Sequence, residues 1–417
     1  MVVRLFRRGS VPRLLSGSCL FAVVTSCSQG STDTAPIERD PVDRAAAAAQ
    51  HGGSPPDGEL PPATQIEILA ARGWYGFATR DFVFVDETRP TPPNNTYPGS
   101  PVRTLPTRVY YPAQPPNRTA SPPPPTRVPV AAGTFPIVGY AHGLTSRGEP
   151  ARFTCEHLAT HGYVCVAPRF PLSSGYAPGG PTIADIGQQP RDLDFVMRRV
   201  ASLGGADADL GTAVDASKRG IVGLSAGGLT VLLAAYHPTL RIPDIDAAVA
   251  HAPVSCFLGA PAYAPRSLPM LIVAGTADEL VPPEGPRRAF SLAPPPVILA
   301  ELLGGTHSGF LNAERPFVEN SDDIECERLL AAGPQQGDAA FAASINAGAP
   351  GAFDPSGCST GICQQQFLQT MGATRQQKLT RAATLAHFEA ELRDDPLAEQ
   401  FLRTGLDALP DVDVRAK

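Results

Sequence analysis

From residue 82 onward the apolar positions fall into short blocks separated by turn-forming residues. Residues 82–85 and 108–111 read as early strands. Residues 136–140 form a short apolar strand, followed by His142-Gly143 at a turn. Residues 153–160 have a helical pattern that stops at His161-Gly162, and 163–167 is the next buried strand. Within 192–200, Leu193, Val196, Met197 and Val200 recur at the spacing of one helix face. A strand at 220–223 leads into a helix at 229–236 that stops before Pro238, and 245–250, 270–274 and 297–301 are further short, β-branched-rich runs. Strands alternating with helices predict a mostly parallel central sheet flanked by helices on both faces. Functional groups then belong at the C-terminal ends of the strands, where the loops converge.

Residues 312–373 break this rhythm. They are rich in Gly, Ala, Gln and Pro and hold three cysteines. Helical spacing returns over 375–406, with Leu379, Ala383, Ala386 and Leu392 on or near one face. The expected organisation is therefore an α/β core over 65–311, a cysteine-containing insertion over 312–374, and a C-terminal helical segment over 375–417 that packs back on the core.

The N-terminal region has a different character. Arg4, Arg7, Arg8 and Arg13 precede a mostly apolar stretch at 14–24, as in an export signal. Val24-Thr25-Ser26-Cys27 resembles a bacterial lipobox, which makes Cys27 the expected lipidation site; ordinary signal-peptidase cleavage without lipid is the alternative. Residues 28–64 are polar and rich in Ala, Pro and Gly, as expected of a linker.

Composition narrows the function. With 43% hydrophobic and 18% charged residues the chain can bury a core. A net charge of −6 argues against a nucleic-acid partner, which would call for a basic face. No apolar run reaches the roughly 18 residues of a membrane span, so any membrane attachment is expected through a lipid alone. No cysteine has zinc-site spacing beside a histidine pair, so neither a metal nor a cofactor is expected.

The chemistry concentrates in three places. Gly223-Leu224-Ser225-Ala226-Gly227 lies between a strand and an apolar helix, the setting of a nucleophile elbow. A sharp turn there lifts the serine hydroxyl clear of the sheet, and the helix aims its N-terminal amides at developing negative charge. Serine needs a base. His307, in Gly304-Gly305-Thr306-His307-Ser308-Gly309, follows the last of the strands above, whereas the other histidines fall in the linker, on helices or at strand ends. The base needs an orienting carboxylate. Asp278 directly follows the strand at 270–274, with Glu279 as the neighbouring alternative. The order Ser225, Asp278, His307 is the one this kind of sheet requires. Tyr140-Ala141-His142-Gly143-Leu144 can turn the Leu144 amide toward the same point as the Ala226 amide, which makes an oxyanion hole; His142 is read as a brace of that loop.

Taken together, residues 136–307 resemble the dienelactone-hydrolase-like and platelet-activating-factor-acetylhydrolase-like α/β-hydrolases, with the cutinase-like polyester hydrolases as cousins. Leu158-Ala159-Thr160-His161-Gly162-Tyr163, Arg191-Asp192-Leu193-Asp194-Phe195-Val196, residues 223–228, residues 275–282 and Gly305-Thr306-His307 follow in the family order. The resemblance implies an α/β-hydrolase fold and metal-free cleavage of carboxylic esters. Dienelactone hydrolases proper use cysteine; the serine here favours the esterase branch. A monomer acting on a small-molecule, lipid or polyester ester is expected. A peptidase or acyltransferase on the same triad, and a non-catalytic surface-binding lipoprotein, are the alternatives.

Cys19 leaves with the signal and Cys27 takes the lipid, which leaves six cysteines. Export permits disulfides, but six cysteines allow 15 connectivities. The expected pairs are Cys256 with Cys326 and Cys358 with Cys363, while Cys155 and Cys165 either pair or stay as buried thiols. The insertion is then either a cap over the pocket or a stapled surface loop.

Overall fold

A computed structural model describes residues 60–114, 128–311, 321–331 and 338–417. The expected export signal, the expected lipidation site Cys27 and most of the expected linker lie outside these residues. In chain order the elements are α1 (Pro62–Ala70), β1 (Gly76–Asp86), β2 (Arg103–Ala113), β3 (Phe135–Ala141), α2 (Glu149–Thr160), β4 (Val164–Pro168), a 3₁₀ turn (Ile183–Gln188), α3 (Gln189–Ala201), α4 (Ala208–Thr212) and β5 (Val214–Leu224). There follow α5 (Ala226–Tyr236), β6 (Ala247–His251), β7 (Met270–Gly275), α6 (Glu284–Leu292), β8 (Val297–Leu302), α7 (Ser321–Ala331), α8 (Asp338–Asn346), α9 (Ala373–Arg393), α10 (Pro396–Gln400) and β9 (Val412–Ala416).

The strands form one sheet in the order β1-β2-β4-β3-β5-β6-β7-β8-β9. β4, β3, β5, β6, β7 and β8 run parallel; β1 and β2 at one edge and β9 at the other are antiparallel to their neighbours. Every residue of β3, β6 and β7 is buried, because helices cover both faces. Alternate side chains divide between the faces. Met270, Ile272 and Ala274 join α3, α5 and α8 on one side, where Leu193, Val196 and Met197 fill the gap. Leu271 and Val273 join α1, α2 and α9 on the other, against Leu158, Leu379, Ala383 and Phe388. On the β3 face toward α3, Gly139 keeps the approach close: a Cβ there would press into Met197 and Leu193.

The structure departs from sequence expectation in several places. α1 begins at Pro62, inside the expected linker, because proline at the first helical position has its φ preset and no amide to strand. β9 extends the sheet at a position read only as a helical segment. The helix over 373–393 stops at Asp394, which takes a left-handed conformation (φ 56°), and Asp395 caps α10 through the amides of Leu397 and Ala398. Within the insertion, α8 buries Phe341 and Ile345 in the same core cluster as α3 and α5.

The disulfides also differ. Cys155 pairs with Cys165, Cys256 with Cys358, and Cys326 with Cys363; the expected Cys256–Cys326 and Cys358–Cys363 pairs do not form. Backbone pairing explains the exchange. The strap before Cys358 is fastened to the loop after β6: Gly259 N–H donates to Ala352 O at 2.9 Å and Asp354 N–H to Phe257 O at 2.8 Å. This brings Cys358 to Cys256. Farther along, Cys363 N–H donates to Glu279 O at 2.8 Å, beside α7 and Cys326. Between the two, the Glu284 carboxylate accepts the Ser359 and Thr360 amides. Cys358 and Cys363 are therefore held on different loops despite their closeness in sequence.

Candidate active site

The elbow is as tight as its small residues require. β5 ends at Leu224 and α5 begins at Ala226, leaving Ser225 between them at φ 61°, ψ −118°. A non-glycine residue at positive φ is strained and must be held by its surroundings. Here Ser225 N–H donates to His251 O at 2.9 Å, and Ser225 O accepts Leu229 N–H at 3.0 Å. The neighbouring glycines permit the turn. A Cβ at Gly223 would overlap the Gly227 carbonyl, and one at Gly227 would overlap that of Ala141.

The loops after β7 and β8 bring Asp278 and His307 together. Asp278 Oδ2 lies 2.8 Å from His307 Nδ1, with both side chains buried. Nδ1 therefore holds the proton and Nε2 is left as the acceptor. Burial, the largest influence, pushes against a charged His307 ring, but the Asp278 carboxylate, with Asp322 and Glu325 adding to it, outweighs burial. The net result is a His307 pKa above the ordinary value. Asp278 is pushed up by burial and pulled back by His307, and its Oδ1 accepts Val281 N–H at 2.6 Å. Glu279 faces elsewhere: its Oε1 accepts Phe367 N–H at 3.2 Å. The loop after β8 also touches the end of β6, since Phe310 stacks on His251 with ring centroids 6.0 Å apart, and the His251 carbonyl holds Ser225.

The candidate oxyanion loop abuts the same serine. A Cβ built on Gly143 would lie 3.4 Å from Ser225 Cβ and 4.0 Å from its Oγ. His142 braces this loop. Its Nδ1 lies 2.8 Å from Gly143 O, and its Nε2 accepts Phe170 N–H at 3.0 Å. Burial holds the ring neutral, with a pKa near about 4, which this pair of bonds requires. In a trans peptide the carbonyl and the following amide point in opposite directions. With Gly143 O turned to the His142 ring, the Leu144 amide faces away from it. Among the described residues that amide has no backbone acceptor. The Ala226 amide, at the first position of α5, has no acceptor within its helix.

Two residues at this site were not anticipated from sequence. Asp322, on the first turn of α7, accepts the amides of His307 and Ser308, each at 2.8 Å, and that of Glu279 at 3.3 Å. Gln376, on the first turn of α9, accepts Thr306 N–H at 3.0 Å and donates to Thr306 O at 2.7 Å. The run Ser321-Asp322-Asp323-Ile324-Glu325 reads in sequence as an acidic helix start, which is the only signal it offers.

Among the described residues no group of three or more His, Cys, Asp and Glu is arranged to hold a metal ion. No protein-family model matches the chain. A stretch of 134 residues is 33% identical to Chlorophyllase-1 of Arabidopsis thaliana, covering 31% of this chain and 38% of that protein. The chain thus aligns with well under half the length of this curated relative. A ferulic acid esterase from Streptomyces cinnamoneus, solved at 2.4 Å resolution, has the same fold: TM-score 0.53, 19% identity, 83% of this chain and 98% of that one. A sheet in the order 1-2-4-3-5-6-7-8 with an additional edge strand and the likeness to this solved structure show that the chain has the α/β-hydrolase fold.

Proposed function

We propose that the chain cleaves carboxylic esters by acyl transfer, with Ser225 as nucleophile, His307 as general base and Asp278 as the carboxylate that orients it. In the first step Ser225 Oγ attacks the ester carbonyl and its proton passes to His307 Nε2. The tetrahedral oxyanion is stabilised by the amides of Leu144 and Ala226, each worth about 3–4 kcal/mol in an oxyanion hole. His307 then protonates the leaving alcohol. Water repeats the sequence on the acyl-enzyme and returns Ser225 free. The observation that supports this reading best is the strained Ser225 (φ 61°) beside loops that hold a buried, hydrogen-bonded Asp278–His307 pair.

A fluorophosphonate probe tests the nucleophile: labelling should map to Ser225 and nowhere else. A panel of p-nitrophenyl esters of rising acyl length then tests the reaction class and measures chain-length preference. A labelled enzyme that hydrolyses amides or transfers acyl groups, and leaves every ester of the panel intact, would move the assignment to peptidase or acyltransferase.

We also infer export. Three disulfides fit an oxidising compartment, and Val24-Thr25-Ser26-Cys27 is the proposed processing site, with Cys27 lipidated. Mass spectrometry of the mature N-terminus decides between a lipid-anchored and an unmodified exported protein.

A further inference from the structure

The reaction above uses Asp278 and leaves a second buried carboxylate beside it without a role. Asp322 is fully buried. Its Oδ2 accepts His307 N–H at 2.8 Å and Glu279 N–H at 3.3 Å, and its Oδ1 accepts Ser308 N–H at 2.8 Å. One side chain therefore ties the backbone of His307 to the residue that follows Asp278. The two loops come from different strands, β8 and β7, and have no covalent reason to keep a fixed offset.

The helix that carries Asp322 is itself anchored. Cys326 lies one turn farther along α7, on the same face, and is bonded to Cys363. Cys363 N–H in turn donates to Glu279 O at 2.8 Å, and Phe367 N–H donates to Glu279 Oε1 at 3.2 Å. Asp322 is thus held from both sides against the Asp278 loop. A carboxylate with three amide donors and no freedom to turn is a rigid reference point for the loop it holds.

We propose that Asp322 is a positioning residue for the triad: its carboxylate fixes the His307 backbone relative to Asp278, and its negative charge favours the imidazolium formed when His307 takes the Ser225 proton. This rests on the esterase reading for its catalytic consequence, though not for its effect on the ring. The raised pKa of His307, to which Asp322 adds after Asp278, agrees with it. Among the described residues the charged groups acting on the imidazole are Asp278 from the loop after β7, which contacts the ring, and Asp322 and Glu325 from α7, which act on it through space. From α9, the neutral Gln376 packs on the loop, and from β6 comes His251, which burial keeps uncharged.

The test uses the full chain with two substitutions. Asp322→Asn removes the charge and sets an amide group against backbone donors; Asp322→Glu keeps the charge but displaces the oxygens. For Asp322→Asn, kcat on p-nitrophenyl acetate should fall by about 10²-fold, KM should stay within about threefold, and the acid limb of kcat/KM should move to lower pH. For Asp322→Glu, kcat should also fall while the acid limb stays in place. Should the asparagine variant not fold, the glutamate variant decides through kcat. Parental kcat in either folded variant, or an acid limb unmoved in Asp322→Asn, overturns the proposal. An NMR titration of the His307 ring in the Ser225→Ala background needs no turnover and separates the two readings. A lower His307 pKa with Asp322→Asn, together with a parent inactive on every ester, would sink the esterase reading and support the role in holding the ring. An unchanged titration would overturn that role whatever the enzyme cleaves.

Discussion

The Asp278 carboxylate is 1% exposed and lies 2.8 Å from His307 Nδ1. Burial disfavours charge on both partners, yet the ion pair is favoured once the ring is protonated, so His307 binds its proton more tightly than a free imidazole. Only the neutral ring can act as base. kcat/KM on a neutral ester should therefore rise with pH through one ionisation whose midpoint lies above 6.5, the ordinary histidine value. Because the folded-state pKa is raised, the stability this group contributes is complete below the unfolded value and is lost as pH rises through the folded one. A pH–rate profile and a parallel series of melting temperatures check both statements. Asp278→Asn should lower kcat by roughly 10⁴-fold, since an amide can hold the ring in the wrong tautomer.

Ser225 sits at φ 61°, ψ −118°, where a side chain costs about 1–3 kcal/mol in strain. Two substitutions separate chemistry from strain. Ser225→Ala should lose fluorophosphonate labelling and about 10⁵- to 10⁶-fold of turnover, with stability close to the parent. Ser225→Gly should be equally inactive but more stable in denaturant by about 1 kcal/mol or more, because glycine accepts this backbone geometry. Equal stability of the two variants would argue that the elbow holds no strain.

Arg103 is fully buried, and its Nε and Nη2 each bond one oxygen of Asp192 at 2.6 Å. Asp192 also accepts from Arg89 at 2.8 Å, and Arg89 from the far side holds Asp86 at 2.7 Å. The network joins β1, β2 and α3 on the face away from α9. Asp192→Ala should destabilise by about 3–5 kcal/mol, the cost of leaving a buried cation without its main partner. Chemical denaturation at neutral pH measures it. A loss under about 1 kcal/mol would mean that Asp185, 2.9 Å from Arg103, suffices alone.

Cys256–Cys358 closes a long stretch, with a sequence separation of 102, and Cys326–Cys363 one of 37. Loop-closure entropy assigns them about 5 and about 4 kcal/mol respectively in the unfolded chain. Non-reducing peptide mapping should return these two pairs together with Cys155–Cys165. Replacing Cys326 and Cys363 with serine should lower the melting temperature and slow turnover together, because that bond fastens the helix bearing Asp322. A mapped Cys256–Cys326 pair would contradict the strap's path across the loop after β6.

Much of the architecture could be read from local pattern. The apolar blocks at 136–140, 220–223 and 270–274 are buried strands because both sheet faces are covered, and continuous apolar runs are what such strands need. The elbow was readable for a similar reason: tight turns impose glycine at fixed offsets from the serine, so the geometry leaves its mark in sequence. Asp278 and His307 could be placed because each follows a strand at the edge where loops converge. α1 and β9 were not, since one hides in a proline-rich stretch and the other is a short edge strand with no periodicity of its own.

Long-range pairing is where local pattern stops. Cys358 and Cys363 are five residues apart, yet they bond to different loops because Phe257 and Glu279, far upstream, each take one end of the strap by backbone hydrogen bonds. Asp322 looks like any acid at the start of a helix until folding brings it under His307. Spacing along the chain encodes strands, turns and the local settings of Ser225, Asp278 and His307 because those depend on neighbours within a few residues. Which carboxylate braces which loop, and which sulfur meets which, depends on how separate segments pack over the C-terminal edge of the sheet, and contacts of that kind leave no periodic trace in either partner.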